Sequence, residues 1–160
     1  MRRLLSYHLE HSDQPLEDPP TQPASLDELQ EIDIATVARR VAYHGVPDLP
    51  WQISGHSLAR LGSPDIALGL GPASAILSSP EEKRIVLRGF FVLPQERSHG
   101  YGRRLMEALL RRYPRKDWKV PALCPEEYGG FFERIGFEPG RLSQFQMEKP
   151  CIPQYPRSYP

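Results

Sequence analysis

Ile85-Val86-Leu87-Arg88-Gly89-Phe90-Phe91-Val92-Leu93 runs directly into Pro94-Gln95-Glu96-Arg97-Ser98-His99-Gly100-Tyr101-Gly102. The first stretch is rich in β-branched and aromatic residues and predicts the strongest strand of the chain, which Pro94 ends. After a six-residue turn a helix is predicted to open at Gly100. On it Leu105, Met106, Leu109, Leu110 and Tyr113 share one face, Arg103, Arg104, Glu107, Arg111 and Arg112 take the other, and Pro114 closes it. A strand that turns sharply into a helix directs several unpartnered N–H groups at one spot, and the helix dipole adds to them. Together they make an anion site. Gly100 and Gly102 carry no Cβ to hold a pyrophosphate away from the main chain. Arg97 contributes a fixed positive charge, and Arg103 and Arg104 extend it along the first helical turn.

Working outward, Ser25-Leu26-Asp27-Glu28 reads as a capping box. Apolar residues at Leu26, Leu29 and Ile32, then Ile34, Val37, Ala38 and Val41, predict helix to about His44, with a phase shift near Asp33 and a stop at Gly45 and Pro47. Ser57–Leu61, Ile66–Leu70 and Ala73–Leu77 read as short antiparallel strands. Beyond the central helix, residues 119–124 predict a strand, 126–135 a helix ended by Gly136, and 143–148 a final strand. Arg2–Leu9 adds one strand ahead of a loop crowded with Pro15, Pro19, Pro20 and Pro23. This order describes an α/β (α+β) chain with a mixed sheet and helices packed on it. The expected division is residues 1–24 as strand and Pro-rich acidic segment, 25–149 as the compact domain, and 150–160 as a Pro-rich tail.

The chain has 160 residues, 25% charged and 39% hydrophobic, which fits one globular domain. No apolar run is long enough to span a bilayer, and Met1-Arg2-Arg3-Leu4-Leu5 leads into polar sequence, so neither a membrane protein nor a secretory signal is expected. The expectation is a cytoplasmic protein. Two cysteines, Cys124 and Cys151, are too few for a disulfide framework or a multi-ligand zinc module. The net charge of zero argues against a general nucleic-acid binder. Charge is unevenly placed all the same. Residues 1–50 hold four Arg against nine acids, a net −5, whereas residues 83–119 hold eleven Lys or Arg against three acids, a net +8. A third glycine of a dinucleotide fingerprint would fall at Leu105, which weakens a Rossmann reading, and the Gly-Lys-Ser/Thr that a Walker loop needs is absent.

Val-x-Pro-x-x-Arg-x-x-Gly-x-Gly from Val92 to Gly102, followed by Leu105-Met106, resembles motif A of the GNAT superfamily of acyl-CoA-dependent N-acyltransferases. Downstream, Phe131-Phe132-Glu133-Arg134-Ile135-Gly136-Phe137 resembles the aromatic segment of motif B, and Phe145-Gln146-Met147-Glu148-Lys149 the family's last strand. The resemblance covers residues 85–149. It implies a largely antiparallel, twisted sheet with helices on both faces and two central strands that splay apart. It further implies acetyl-CoA as cosubstrate, no metal, and an amine acceptor attacking the thioester directly, with a homodimer as one partner state. Carried over by position, main-chain groups of Phe90 and Val92 meet the thioester and pantetheine arm. Arg97, Ser98, His99, Gly100, Tyr101 and Gly102 hold the pyrophosphate, Arg103 or Arg104 meets the 3′-phosphate, and Phe132 lines the cofactor site.

One departure bears on catalysis. Many members carry a tyrosine where this chain has Phe132, and a phenylalanine has no proton for the leaving thiolate. Tyr128, four residues earlier on the same face of the predicted helix, is the candidate acid. Glu31, His44, His56, Glu81, Glu82 and His99 are candidate bases, with no choice among them. Cys124 reads as a small buried hydrophobe rather than a nucleophile. Two functions follow: an N-acetyltransferase, or a non-catalytic acyl-CoA-binding module that kept the cradle and lost its acid.

Overall fold

The computed structural model describes residues 2–10, 28–45 and 50–146. Seven strands form one sheet: β1 Arg2–Leu9, β2 Gln30–Ile32, β3 Ile66–Leu70, β4 Ala73–Leu77, β5 Arg84–Val92, β6 Asp117–Pro125 and β7 Glu138–Gln146. Their order is β2-β3-β4-β5-β6-β1-β7. Every neighbouring pair is antiparallel except β5 and β6. Four helices, α1 Ile34–His44, α2 Gly55–Leu58, α3 Tyr101–Arg112 and α4 Gly129–Arg134, cover the two faces.

Strand alternation sorts the core into two layers. Ala67, Ile76 and Phe91 face α1 and α2, where they meet Val37, Ala38, Val41 and Leu58. Their neighbours Leu68 and Ala75 point the other way, with Leu105, Met106 and Leu109 of α3 and Phe132 of α4. The period of two in the strands and the apolar face read for α3 thus produce one sheet clad on both sides.

The parallel contact between β5 and β6 is short. Arg84, Ile85 and Val86 pair with Asp117, Trp118 and Lys119, and the ladder then stops. Two local features part the strands there. β6 continues through Pro121, which has no N–H to give a ladder. On β5, Leu87 and Gly89 pair with Leu77 and Ile76, so Arg88 is the extra residue of a bulge, which bends and twists its strand. Beyond the fork β5 stays with β4, and β6 stays with β1.

β1 is an interior strand. Its register runs Leu4–Pro125 to Leu9–Trp118 against β6, and Arg2–Gln146 to His8–Glu138 against β7. Both registers shift between Leu5 and Tyr7, where the Ser6 hydroxyl donates to the Leu142 carbonyl at 2.8 Å. Residues 2–9 therefore belong to the same sheet as the rest of the fold. Arg2 pairs with Glu127 and Arg3 with Glu126 (3.7 Å), tying the start of β1 to the turn that follows β6.

Several sequence expectations change. Gln30–Ile32 is a strand on β3 and not part of a helix, because the Asp33 carboxylate accepts from the Ala35 amide at 3.0 Å and starts α1 at Ile34. Gly45 stops α1 as expected, its N–H reaching the Val41 carbonyl at 2.7 Å. Ser57–Leu61 is not a strand. The Ser54 hydroxyl caps α2 at the Ser57 amide, and Leu58 turns into the core. The second motif helix is split into a 3-10 turn, Glu126–Tyr128, and α4, which Gly136 ends at φ +99°. β7 starts at Glu138, ahead of the expected Ser143, and Gly140 makes room there for the Ser6 side chain. Ser25 and the Pro-rich segments, including residues 147–160, lie outside the described residues. Among the described residues, no helix is long and apolar enough to cross a membrane.

A chain lacking residues 1–9 tests the role of β1. Its removal separates β6 from β7 and takes Leu4 and Tyr7 out of the core. The expected result is loss of the cooperative thermal transition in far-UV circular dichroism; a sharp transition near that of the full chain would contradict this placement.

Candidate functional site

The site forms where β5 leaves β6. Bonded pairs recur at every second residue of an antiparallel ladder. The Leu93 amide donates to the Pro72 carbonyl at 3.1 Å, and Phe91 pairs with Ser74 and Gly89 with Ile76. Phe91 and Gly89 thus fall in the set turned towards β4. The main-chain groups of Phe90 and Val92 are turned to the opposite edge, which β6 has left. Arg97 meets that edge: its Nε donates to the Val92 carbonyl at 3.1 Å, and its guanidinium lies 5.7 Å from the centre of the Phe91 ring.

β5 passes through a 3-10 turn, Pro94–Glu96, into the start of α3. Ser98 (φ 66°) and Gly100 (φ +81°) both sit in the left-handed region. Gly100 is the N-cap, with no side-chain hydrogen bond to the helix, and its carbonyl accepts from the Arg104 amide at 3.0 Å. The amides of Tyr101, Gly102 and Arg103 are those a helix leaves without an internal acceptor. No acidic residue lies in the first turn to offset the dipole.

The two motif glycines have different tasks. A Cβ at Gly100 would meet nothing within 4 Å, so this glycine is required by its backbone angle. At Gly102 a Cβ would stand 3.3 Å from the Phe131 ring and 3.4 Å from the Phe90 ring. Close approach at Gly102 is therefore made by two aromatic rings of the protein itself.

The basic side chains are engaged locally. Arg103 Nε donates to Glu107 at 2.8 Å, and the Arg104 guanidinium lies 4.1 Å over the Tyr101 ring. His99 Nδ1 stands 3.8 Å from the Glu96 carboxylate. Tyr101 also covers Gly71 in the β3–β4 turn, fixing α3 against the neighbouring hairpin.

Phe132 is 5% exposed and sits among Tyr7 (5.6 Å between ring centres), Phe131 (5.1 Å), Phe137 (5.5 Å) and Phe90 (6.3 Å). Tyr128 is 41% exposed and stands at the end of the 3-10 turn, ahead of α4. The 3-10 turn runs directly into α4 at Gly129, and Tyr128, at that junction, is far more exposed than Phe132. Cys124 is buried at the end of β6, and burial pushes its thiol up to about 12, which keeps it neutral and unreactive.

The structure does not gather the candidate bases. Glu81 and Glu82 precede β5 at the closed end of the fork, where their carbonyls accept from Lys116 (3.3 and 2.8 Å). The length of β5, roughly 25–30 Å at about 3.3 Å per residue, separates them from the start of α3. His44 ends α1 against Tyr43, and His56 lies exposed on α2. Glu31 lines an open cavity of about 620 Å³ with Asp33 and Asp65. Asp33 already caps α1, and Asp65 faces Arg88 at 3.5 Å.

Sequence reading missed Tyr7, which the sheet order brings against Phe132, and the Phe90–Phe131 contact at Gly102. The one signal for the former was the pair Gly129-Gly130, a poor helix start that asks what needs the space.

Residues 68–139 match the family model of the acetyltransferase (GNAT) domain. The mixed, mostly antiparallel seven-stranded sheet with helices on both faces is GNAT-like. A Drosophila protein of known X-ray structure superposes with TM-score 0.54 at 19% identity, over 89% of this chain and 48% of that one. A GCN5-related N-acetyltransferase from Kribbella flavida superposes with TM-score 0.50 at 14% identity, over 86% of this chain and 54% of that one. At these identities the likeness is one of fold, and this chain spans about half the length of each. No curated protein matches in sequence.

The two glycines can be separated by stability. Gly100→Ala should cost about 1–2 kcal/mol through its left-handed angle, and Gly100→Asn less, since asparagine tolerates that region. Gly102→Val should cost about 1–3 kcal/mol by crowding the two rings. Urea unfolding checks the order; equal losses for Ala and Asn at position 100 would assign its effect to contact instead.

Proposed function

We propose that this chain is an N-acetyltransferase that moves the acetyl group of acetyl-CoA to an amine. The observation that carries the reading is the edge of β5 at Phe90 and Val92 that β6 has left, where only Arg97 meets the Val92 carbonyl among the described contacts, placed beside the uncapped start of α3. An extended amide-bearing chain can pair with such an edge as a further strand would, and a pyrophosphate matches a helix start with unengaged amides. Arg97 and the amides of Ser98, His99, Gly100, Tyr101, Gly102 and Arg103 would hold the phosphates. Arg103 and Arg104 add positive charge on the first turn, and Phe90 and Phe132 give the arm apolar walls.

When bound, acetyl-CoA supplies an activated acyl carbon. The chain's own contribution is to fix that group along β5, exclude water with the aromatic cluster, and offer a strand N–H to the oxygen that becomes negative as the amine adds. Direct attack needs no nucleophilic side chain, which agrees with the inert Cys124. The acceptor approaches from the open side of the fork, against the elements between residues 28 and 80.

Calorimetry and a thiol-release assay over a panel of amines test this reading. Acetyl-CoA should bind, and Arg97→Ala should weaken binding by about 1.5–3 kcal/mol, the worth of a charged hydrogen bond. At least one amine should release free thiol in step with acetylated product. Binding without any transfer would favour the acyl-CoA-binding module, the reading that Phe132 favours; no binding would remove both.

A further inference from the structure

Six cations meet at the closed end of the fork. β5 and β6 run parallel, so their first residues lie side by side: Arg84 pairs with Asp117, and the Asp117 amide donates to the Lys83 carbonyl at 3.1 Å. α3 returns over the sheet and brings Arg111 and Arg112 to the same end, where Tyr113 closes it. Arg115 and Lys116 then lead into β6. Lys83, Arg84, Arg111, Arg112 and Arg115 are exposed, and among the described residues none of the five has an ion pair. Lys116 Nζ donates to the carbonyls of Glu81 and Glu82 (3.3 and 2.8 Å). Glu81, Glu82 and Asp117 are the acids on the same segments, which leaves a net +3.

Part of this clustering has a local cause. A helix end attracts cations, which explains Arg111 and Arg112. It does not explain Lys83, Arg84 and Arg115, which add only mutual repulsion to the folded chain. Arg115 also takes φ 60°, a left-handed angle that strains a side chain with a Cβ and that glycine would hold freely. The chain keeps an arginine there. The patch is also apart from the cosubstrate track, since the twelve residues of α3 separate its two ends by about 18 Å at 1.5 Å per residue.

We propose that this surface docks an acidic polypeptide segment of a partner protein, with carboxylates spread along it. Four of the six cations are arginines, whose forked donors match a carboxylate through two parallel hydrogen bonds. Charges spread over two strand starts and a helix end suit a ligand whose charge is spread likewise. A phosphate group, with its charge at one point, fits worse, because the end of α3 presents carbonyls and the negative end of its dipole rather than free amides. The rest of the chain selects against long polyanions. Residues 83–119 carry +8 in a chain of net zero, so the remainder carries −8 and repels a nucleic acid or an anionic bilayer that extends past the patch. A short acidic segment meets the patch alone, because salt screens charges beyond about 8 Å. The surface acts whether or not the chain transfers acyl groups.

Fluorescence anisotropy of labelled octaglutamate, titrated with the full chain, tests this. Saturable binding is expected, weakening as salt is raised. Arg84→Gln with Arg115→Gly should lower the affinity about fivefold or more, with a melting temperature equal to or above the native one, because glycine relieves the angle at position 115. Arg39→Gln with Arg141→Gln, which removes the same charge from α1 and β7, should change the affinity less than about twofold. No saturable binding, or an equal loss in both double variants, would overturn the proposal. A loss of affinity accompanied by a lower melting temperature would mark a structural role and overturn it too. So would displacement of the peptide by CoA, which would put it on the cosubstrate track, or tighter binding of a single-stranded DNA octanucleotide or of phosphatidylserine vesicles than of the peptide. Binding that appears only after Glu10→Gln, Asp13→Asn, Glu17→Gln and Asp18→Asn would assign the patch to the chain's own acidic stretch and overturn the proposal as well.

Discussion

Three residue pairs join β5 to β6, and the candidate site follows from where that contact ends. Hydrogen-bonded strands have no room between them for a ligand; separated strands leave main-chain donors and acceptors unanswered on both edges. The cause of the separation is local. Pro121 denies β6 an amide, and the bulge at Arg88 turns β5 along β4. Because β5 then runs into α3 through one tight turn, its free edge and the uncapped helix start come to lie in succession. Strand edge and helix amides thus form one continuous polar track, with positive charge at its helical end.

An apolar structure holds the fork open. The rings of Phe90, Phe131 and Phe132 link β5 to α4, and Gly102 lets that cluster press on the first turn of α3. β1 completes the arrangement from the far side. Strands β6 and β7 would otherwise lack a common neighbour, and β1 brings Tyr7 against Phe132 and closes the core there. Residues far apart in the chain therefore meet around one helix of six residues, α4, whose own propensity is poor at Gly129-Gly130 and whose stability comes from packing.

Much of this was legible in the sequence, and the reasons are physical. The apolar run before Pro94 and the two-faced pattern from Leu105 to Leu109 bury what their periods said they would bury. Gly100 was read correctly as a helix start. At Gly102 a sequence shows that a Cβ is missing but not that the Phe90 and Phe131 rings take its place. Gln30–Ile32 and Ser57–Leu61 were misassigned where one side-chain cap, from Asp33 or Ser54, overrides the apolar spacing. The contact of Tyr7 with Phe132 was invisible. It depends on β1 crossing to the middle of half the sheet, a long-range pairing that no local pattern encodes.

Amide hydrogen exchange with and without CoA tests the central claim, that the edge released by the fork is the cosubstrate track. Added protection is predicted at the amides of Phe90 and Val92 and at those of Tyr101, Gly102 and Arg103, with the β2–β3 pair unchanged. Saturating CoA that leaves all five amides exchanging at their original rates would contradict the account.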